Sequence, residues 1–260
     1  MVSNLANMPV FVAKNFAQNS ENQIHSNDVA VQYGFRGGLV PGVTSFAYVI
    51  EAVIDTFGLS WCDSGRLNMR LLQPIYEDDT VTASCTEAGI VSLLDSTGNE
   101  CVEGRASTTP VPFVGDALPT AVAPRPRPPA DASVLAPGTP LTTLDYTASP
   151  EDMCAYLESV NIETGLWEDA KLWHPGVLLL AANEALATSV RMGPWIHVGS
   201  DISLFAPVRL GSAIEARSAV RNRYDRKGHE IVEFDMTIHT DSELAAHVHH
   251  TAIYKPRVNR

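Results

Sequence analysis

Apolar residues recur at Val43, Phe46, Ala47, Ile50, Val53, Ile54 and Phe57, while Thr44, Tyr48, Glu51 and Asp55 take the other faces. That spacing predicts one long helix, opened by Pro41-Gly42 and stopped at Gly58. Downstream the period changes to two. Residues 66–76 read as a strand and Glu77-Asp78-Asp79 as a turn; Val81, Ala83 and Cys85 then alternate with Thr82, Ser84 and Thr86. Residues 90–94 and 101–107 flank D-S-T-G-N-E and read as a hairpin. Upstream, residues 10–13 are a short apolar run suited to a strand or a lead-in segment. Asn27 or Asp28 can cap a short helix through Tyr33, with Gly34 as its stop.

The same order then returns. Leu172-Trp173-His174-Pro175-Gly176-Val177 opens a helix as Leu39-Val40-Pro41-Gly42-Val43 does, and the run L-L-L-A-A-N-E-A-L-A-T-S-V carries it toward Gly193. Ser203 to Arg209 echoes Arg70 to Tyr76, each with a proline inside. Residues 213–221, 231–239 and 245–254 are three further strands. In the second of them Val232, Phe234, Met236 and Ile238 alternate with Glu233, Asp235, Thr237 and His239. Between the halves lies P-V-P-F-V-G-D-A-L-P-T-A-V-A-P-R-P-R-P-P, a semi-extended connector without amphipathic period. The expected organisation is a first repeat at 1–109, a linker at 110–140 and a second repeat at 141–260. Each repeat is of α+β class: an apolar helix that only a wrapping antiparallel sheet can bury.

Composition narrows the partners. The 260 residues are 45% hydrophobic, carry a formal charge of −12 and have a mean hydropathy near zero. Such an acidic chain is not expected to bind nucleic acid or a membrane surface. Cys62, Cys85, Cys101 and Cys154 are scattered without a C-x-x-C pair and read as reduced thiols. The start M-V-S-N-L-A-N-M-P has no signal-peptide pattern, which points to the cytoplasm.

Candidate chemistry gathers ahead of the first helix. Glu21, Asn22 and His25 supply a carboxylate, an amide and an imidazole, the parts of a general acid/base site. Gly42 and Val43 offer unpaired N–H groups at the helix N-terminus, able to hold a developing oxyanion. A capping loop would use the same residue types, so the functional reading needs His25 to lie opposite that helix start. Arg36 and Gly37 belong to a turn beside it, and Arg36, Arg70 and Lys171 are candidate phosphate contacts. His174 is the comparable group of the second half: a lone histidine before Pro-Gly is most simply structural, and otherwise would face a second pocket or cover the first. His247, His249 and His250 lack an acidic or sulfur partner at ligand spacing, so no metal is expected.

As a whole, the stretch 20–42 resembles the MaoC-like (R)-specific enoyl-CoA hydratase/dehydratase family, which has the hotdog fold. That family carries Asp-x-Asn-Pro-x-His, a Gly-Phe-x-Gly turn, and a glycine opening the central helix. Asn22, Ile24 and His25 match the first element, Gly34-Phe35-Arg36-Gly37 the second and Gly42 the third. Ser20 stands where the family has its catalytic Asp and Gln23 where it has Pro; Glu21 is the carboxylate next in line. The second half has no Asn-x-x-His, so any activity is expected to be one-sided.

The resemblance implies a double hotdog protein acting on an acyl thioester carried by coenzyme A or acyl carrier protein. It implies reversible hydration of a 2-enoyl thioester, with no metal or redox cofactor and a homodimeric assembly. Thioester hydrolysis at the same helix start and non-catalytic acyl-thioester binding are the alternatives.

Overall fold

The computed structural model describes residues 8–257, so most of the N-terminal stretch read for a leader, and the outer ends of both repeats, lie outside the described residues. β1 (Val10–Val12) precedes the short α1 (Asn27–Ala30) and a 3-10 turn at Val31–Tyr33, closed by Gly34 at φ 88°. α2 (Gly42–Phe57) and the one-turn α3 (Trp61–Ser64) follow. Then come β2 (Arg66–Leu71), β3 (Thr80–Cys85), β4 (Ile90–Asp95) and β5 (Glu100–Ser107). The second half holds β6 (Pro140–Thr147), α4 (Pro150–Ser159), α5 (Gly165–Ala170) and α6 (Pro175–Ser189). It ends with β7 (Ile196–Leu204), β8 (Ala213–Arg226), β9 (His229–Thr240) and β10 (Glu243–Lys255).

The ten strands of the described residues form one antiparallel sheet in the order β1-β3-β4-β5-β2-β7-β10-β9-β8-β6. The order is symmetric about the β2–β7 seam: outward from it run β2, β5, β4, β3, β1 on one side and β7, β10, β9, β8, β6 on the other. The repeat read from sequence is therefore a structural duplication, and joining the halves removes one open edge from each. At the seam Arg66 makes two bonds to Asp201, at 2.8 and 2.5 Å, and Asn68 adds a third at 3.0 Å.

Both central helices are core elements. In α2, 11 of 16 residues are buried, including the polar Thr44 and Ser45, and α6 is buried along most of its length. A helix apolar on nearly every face is stable only when covered all round, and here the sheet and the other helix do that. Tyr48 in α2 donates to the carbonyl of Val160 at 2.8 Å, and Tyr156 in α4 donates to that of Val43 at 3.2 Å, so each repeat is tied to the other's helix.

Three features differ from the sequence expectation. The strand expected over residues 66–76 stops at Leu71; Leu72 and Gln73 both donate to the Cys101 carbonyl and Pro74 has no N–H to continue the ladder. The stretch beyond it turns back, so that the Val40 N–H donates to Ile75 O at 2.8 Å and Leu39 bridges Tyr76. That contact fixes the chain entering α2. The strand expected over 203–209 lies earlier, as β7, and its polar residues His197, Ser200 and Asp201 had hidden the alternation. α3, β6, α4 and α5 were not anticipated, although Ser149 caps α4 by accepting from the Asp152 N–H at 3.0 Å, with Pro150 at the first position.

Residues 110–139 contain no helix or strand. They are nonetheless held down: Val111 N–H donates to Ser203 Oγ, Ala130 N–H to Arg191 O, and Leu135 is fully buried. No helix among the described residues is long and apolar enough to cross a membrane. The four cysteines are free.

Candidate active site

His25 closes a 3-10 turn at Gln23–His25, capped by Asn22, with Ile24 as the buried anchor. Its ring is fixed at both nitrogens. Nδ1 lies 2.7 Å from the carbonyl oxygen of Leu39, which can only accept, so Nδ1 carries the proton. Nε2 therefore presents its lone pair, and the amide nitrogen of Asn22 donates to it at 3.2 Å. Burial lowers the His25 pKa, against a smaller opposing pull from the Leu39 carbonyl. The imidazole is thus neutral near pH 7, the form required of a general base. Gly38 lets the chain pack directly on the His25 backbone: a Cβ there would sit 2.0 Å from the carbonyl oxygen of His25.

Asn22 is fully engaged. Its Oδ1 accepts from Trp195 N–H at 3.1 Å and from Ile24 N–H at 3.4 Å, and its Nδ2 donates to Trp195 O at 3.0 Å. The side chain that orients His25 thereby grips the backbone of the second repeat, just before β7.

Two cavities meet at this point. An inner one of about 260 Å³ runs between the N-terminus of α2 and the sheet, walled by Gly42, Ser45, Leu71, Ile75, His197 and Ile253. An outer one of about 370 Å³ is bounded by Phe16, Ser20, Glu21, Arg127, Leu180 and Met192. Asn22, His25, Pro41, Asn183 and Trp195 line both. His25 thus borders both the more enclosed chamber and the more open one, beside a helix start whose first N–H groups have no intrahelical partner.

The remaining expected site residues are placed differently. Gly42 is in the inner wall, and Val43 is fully buried behind it. Glu21 borders the outer cavity, but both of its oxygens accept from the Arg127 guanidinium, which holds the carboxyl below its usual range. A carboxylate so paired is a poor proton acceptor, which weighs against Glu21 as an aid to His25 in moving the proton. Arg36 pairs with Asp79 and lies over the Tyr76 ring at 4.1 Å, and Gly37 packs on Asn27 and Tyr76; neither lines these two cavities.

His174 is also reassigned. It is fully buried, its Nδ1 accepts from Gly176 N–H at 2.9 Å, and its Nε2 lies 3.1 Å from Glu51, which also accepts from Trp167 Nε1. It caps α6, ties it to α2 and lines neither of these cavities. His247 and His249 share Asp235, brought alongside by β9, at 3.1 and 3.2 Å, while His250 points to the other face of the sheet. No cluster of metal-binding type occurs among the described residues.

Sequence reasoning missed Trp195, Asn183, Arg127 and His197. Trp195 and His197 reach the site only because β7 pairs with β2, and Arg127 because the linker is pinned to α6, where it donates to the Ala187 carbonyl at 2.7 Å. No spacing in the sequence encodes those contacts. Asn183 sits on α6, and its Oδ1 has no hydrogen-bond partner among the described residues.

No protein-family profile and no curated protein sequence matches the chain. Solved structures do. A conserved hypothetical protein from Mycobacterium tuberculosis with a double hotdog fold superposes with a TM-score of 0.60 at 14% identity, covering 96% of this chain and 97% of its own. A MaoC domain protein from Chloroflexus aurantiacus, assigned as a dehydratase, gives 0.58 at 10% identity over 99% of both chains. A MaoC-like dehydratase gives 0.58 at 11% identity over 96% of both. At such identities the likeness speaks for the fold, which agrees with the duplicated helix-and-sheet unit: the chain is a double hotdog protein.

Proposed function

We propose that the protein binds an acyl thioester, carried by coenzyme A or acyl carrier protein, across the two joined cavities and hydrates a 2-enoyl thioester reversibly to the 3-hydroxy form. The observation that carries this reading is the His25 ring, unprotonated at Nε2 and lining both cavities, with Gly42 of the α2 start in the inner wall. The acyl chain would occupy the apolar inner cavity, and its carbonyl oxygen would accept from the Gly42 N–H. Polarisation there draws electrons from the C2–C3 double bond toward oxygen.

Water held at Nε2 competes with a single Asn22 N–H at 3.2 Å. As its oxygen bonds to C3, one proton passes to Nε2; the resulting imidazolium returns a proton to C2 as the enolate collapses. One imidazole thus serves in both directions, and dehydration is the reverse.

Ser20 in the outer cavity, in place of a second acid, favours one other reading. A single base beside a polarised carbonyl suffices for thioester hydrolysis, in which water adds to the carbonyl carbon and the thiol departs. Purified protein with crotonyl-coenzyme A separates the two. Loss of enoyl absorbance without free thiol supports hydration, and thiol release supports hydrolysis. Saturable binding with neither change overturns both catalytic readings.

A further inference from the structure

The second repeat places another imidazole at the same helix start. His197 on β7 is buried and lines the inner cavity. It stands close over Gly42: a Cβ there would meet His197 Nδ1 and Leu71 Cδ1, each at 2.5 Å. Yet that Nδ1 has no hydrogen-bond partner among the described residues. The ring borders the cavity, and an unpaired ring nitrogen this buried is costly unless a ligand or water completes it.

The proton arrangement follows from the other end of the ring. His197 Nε2 lies 2.9 Å from Ser200 Oγ, and Ser200 Oγ lies 3.0 Å from Nδ1 of His250, whose ring stacks on that of His197 at 4.2 Å. Ser200 Oγ has no other partner among the described residues, so its one proton goes to one of these rings and the other ring donates to it. His250 is fully buried against Phe234, and its Nε2 has no partner either. An orphan N–H in that closed position is the costlier choice, because orphaned buried donors are rare. His250 therefore carries its proton on Nδ1 and donates to Ser200, which donates to Nε2 of His197. That leaves His197 with its proton on Nδ1, beside Gly42.

We infer that His197 is a substrate-contacting residue: its Nδ1–H donates, together with the Gly42 N–H, to the carbonyl oxygen of the bound thioester. The site would then be built from both repeats, with His25 of the first moving the proton and His197 of the second holding the oxyanion. A neutral imidazole can fill that role without a proton leaving it. Burial brings the His197 pKa down to about 4, which keeps the ring neutral at working pH. The Ser200–His250 chain positions its tautomer. The inference rests on the thioester reading above.

Hexanoyl-coenzyme A with a ¹³C-labelled carbonyl is the probe, because it has no double bond to hydrate. In the wild-type protein the bound carbonyl stretch should move to lower frequency, and ¹⁵N spectra should show His197 protonated at Nδ1. His197→Leu should lose most of that shift and lower turnover by about 10²-fold. His197→Asn, whose amide lies where Nδ1 does, should restore part of both. Folding of each variant is checked by its unfolding midpoint; the wild-type ¹⁵N result stands without any variant. An unprotonated Nδ1, or a full shift in folded His197→Leu, overturns the role of His197 alone, whereas an unshifted carbonyl in the wild type removes the polarised-carbonyl reading together with it. Failure of the wild type to bind hexanoyl-coenzyme A removes the thioester reading together with this one.

Discussion

Asn22 and Trp195 hold each other through both ends of one amide: Trp195 donates its N–H to Asn22 Oδ1 at 3.1 Å and accepts from Asn22 Nδ2 at 3.0 Å. The residue that orients His25 in the first repeat is therefore also a bolt between repeats. Asn22→Asp keeps the acceptor and replaces the donor with a second oxygen facing the Trp195 carbonyl. Stability should fall by about 1–3 kcal/mol, the range for a buried group left unsatisfied, as read by urea unfolding. The new carboxylate beside Nε2 should also raise the His25 pKa, followed by NMR titration. If neither quantity moves, the bridge does not form in solution.

The two candidate proton carriers of the sequence part company in the structure. Glu21 is held by Arg127, whereas the His25 ring is unprotonated at Nε2 and lines both cavities. His25→Gln should lower turnover by about 10²- to 10⁴-fold, the usual contribution of a general base. Glu21→Gln should leave it within about threefold, and the pair belongs to an exposed class that contributes little to stability. Steady-state kinetics on both variants decide the matter. A collapse in Glu21→Gln alone would return the base role to the carboxylate.

Three histidines are held uncharged by burial. His25 and His250 titrate below their ordinary value, and His197 is brought down to about 4. As pH falls through about 6.5, the unfolded chain binds protons that the folded chain refuses. The stability these residues confer is complete above that pH and is lost as pH drops toward their folded values. For His197 alone the shift corresponds to about 3 kcal/mol by pH 4. Urea midpoints should fall steadily between pH 6.5 and 5, above the range in which ordinary carboxylates protonate. His197→Leu should flatten the slope. A midpoint constant down to pH 5 would contradict neutral burial of these rings.

Legibility in the sequence followed locality. The helix over 42–57, the strands of period two and the Asn22-x-x-His25 turn are written in residues a few positions apart, and each appears where its spacing puts it. The duplication was legible because Pro-Gly opens a buried helix twice. His174 was open to two readings for the same reason: a histidine before Pro-Gly can be a site or a structural group, and capping Gly176 and bonding Glu51 use both of its nitrogens. His197 and Trp195 were invisible because sheet pairing, not spacing, carries them to α2. β7 alternates poorly, since its inward positions include the polar His197 and Ser200 that face His250.

Ser20 offers the sharpest test of which reaction the site performs. It borders the outer cavity with His25, and its hydroxyl makes only a long 3.4 Å contact to the Asn22 carbonyl. Ser20→Asp would introduce a carboxylate where the resembling family has its acid, at a position open enough to accept one more atom pair. A second proton-transfer group should raise hydration of crotonyl-coenzyme A by at least about tenfold, since such groups contribute about 10²- to 10⁴-fold where well placed. The added negative charge should raise the His25 pKa, so the rise of activity with pH should move to higher pH. Absorbance assays over a pH series, with free thiol measured alongside, read both effects. A moved pH profile with unchanged hydration and continued thiol release would mean that the new carboxylate has reached His25, and that the chemistry it governs is hydrolysis.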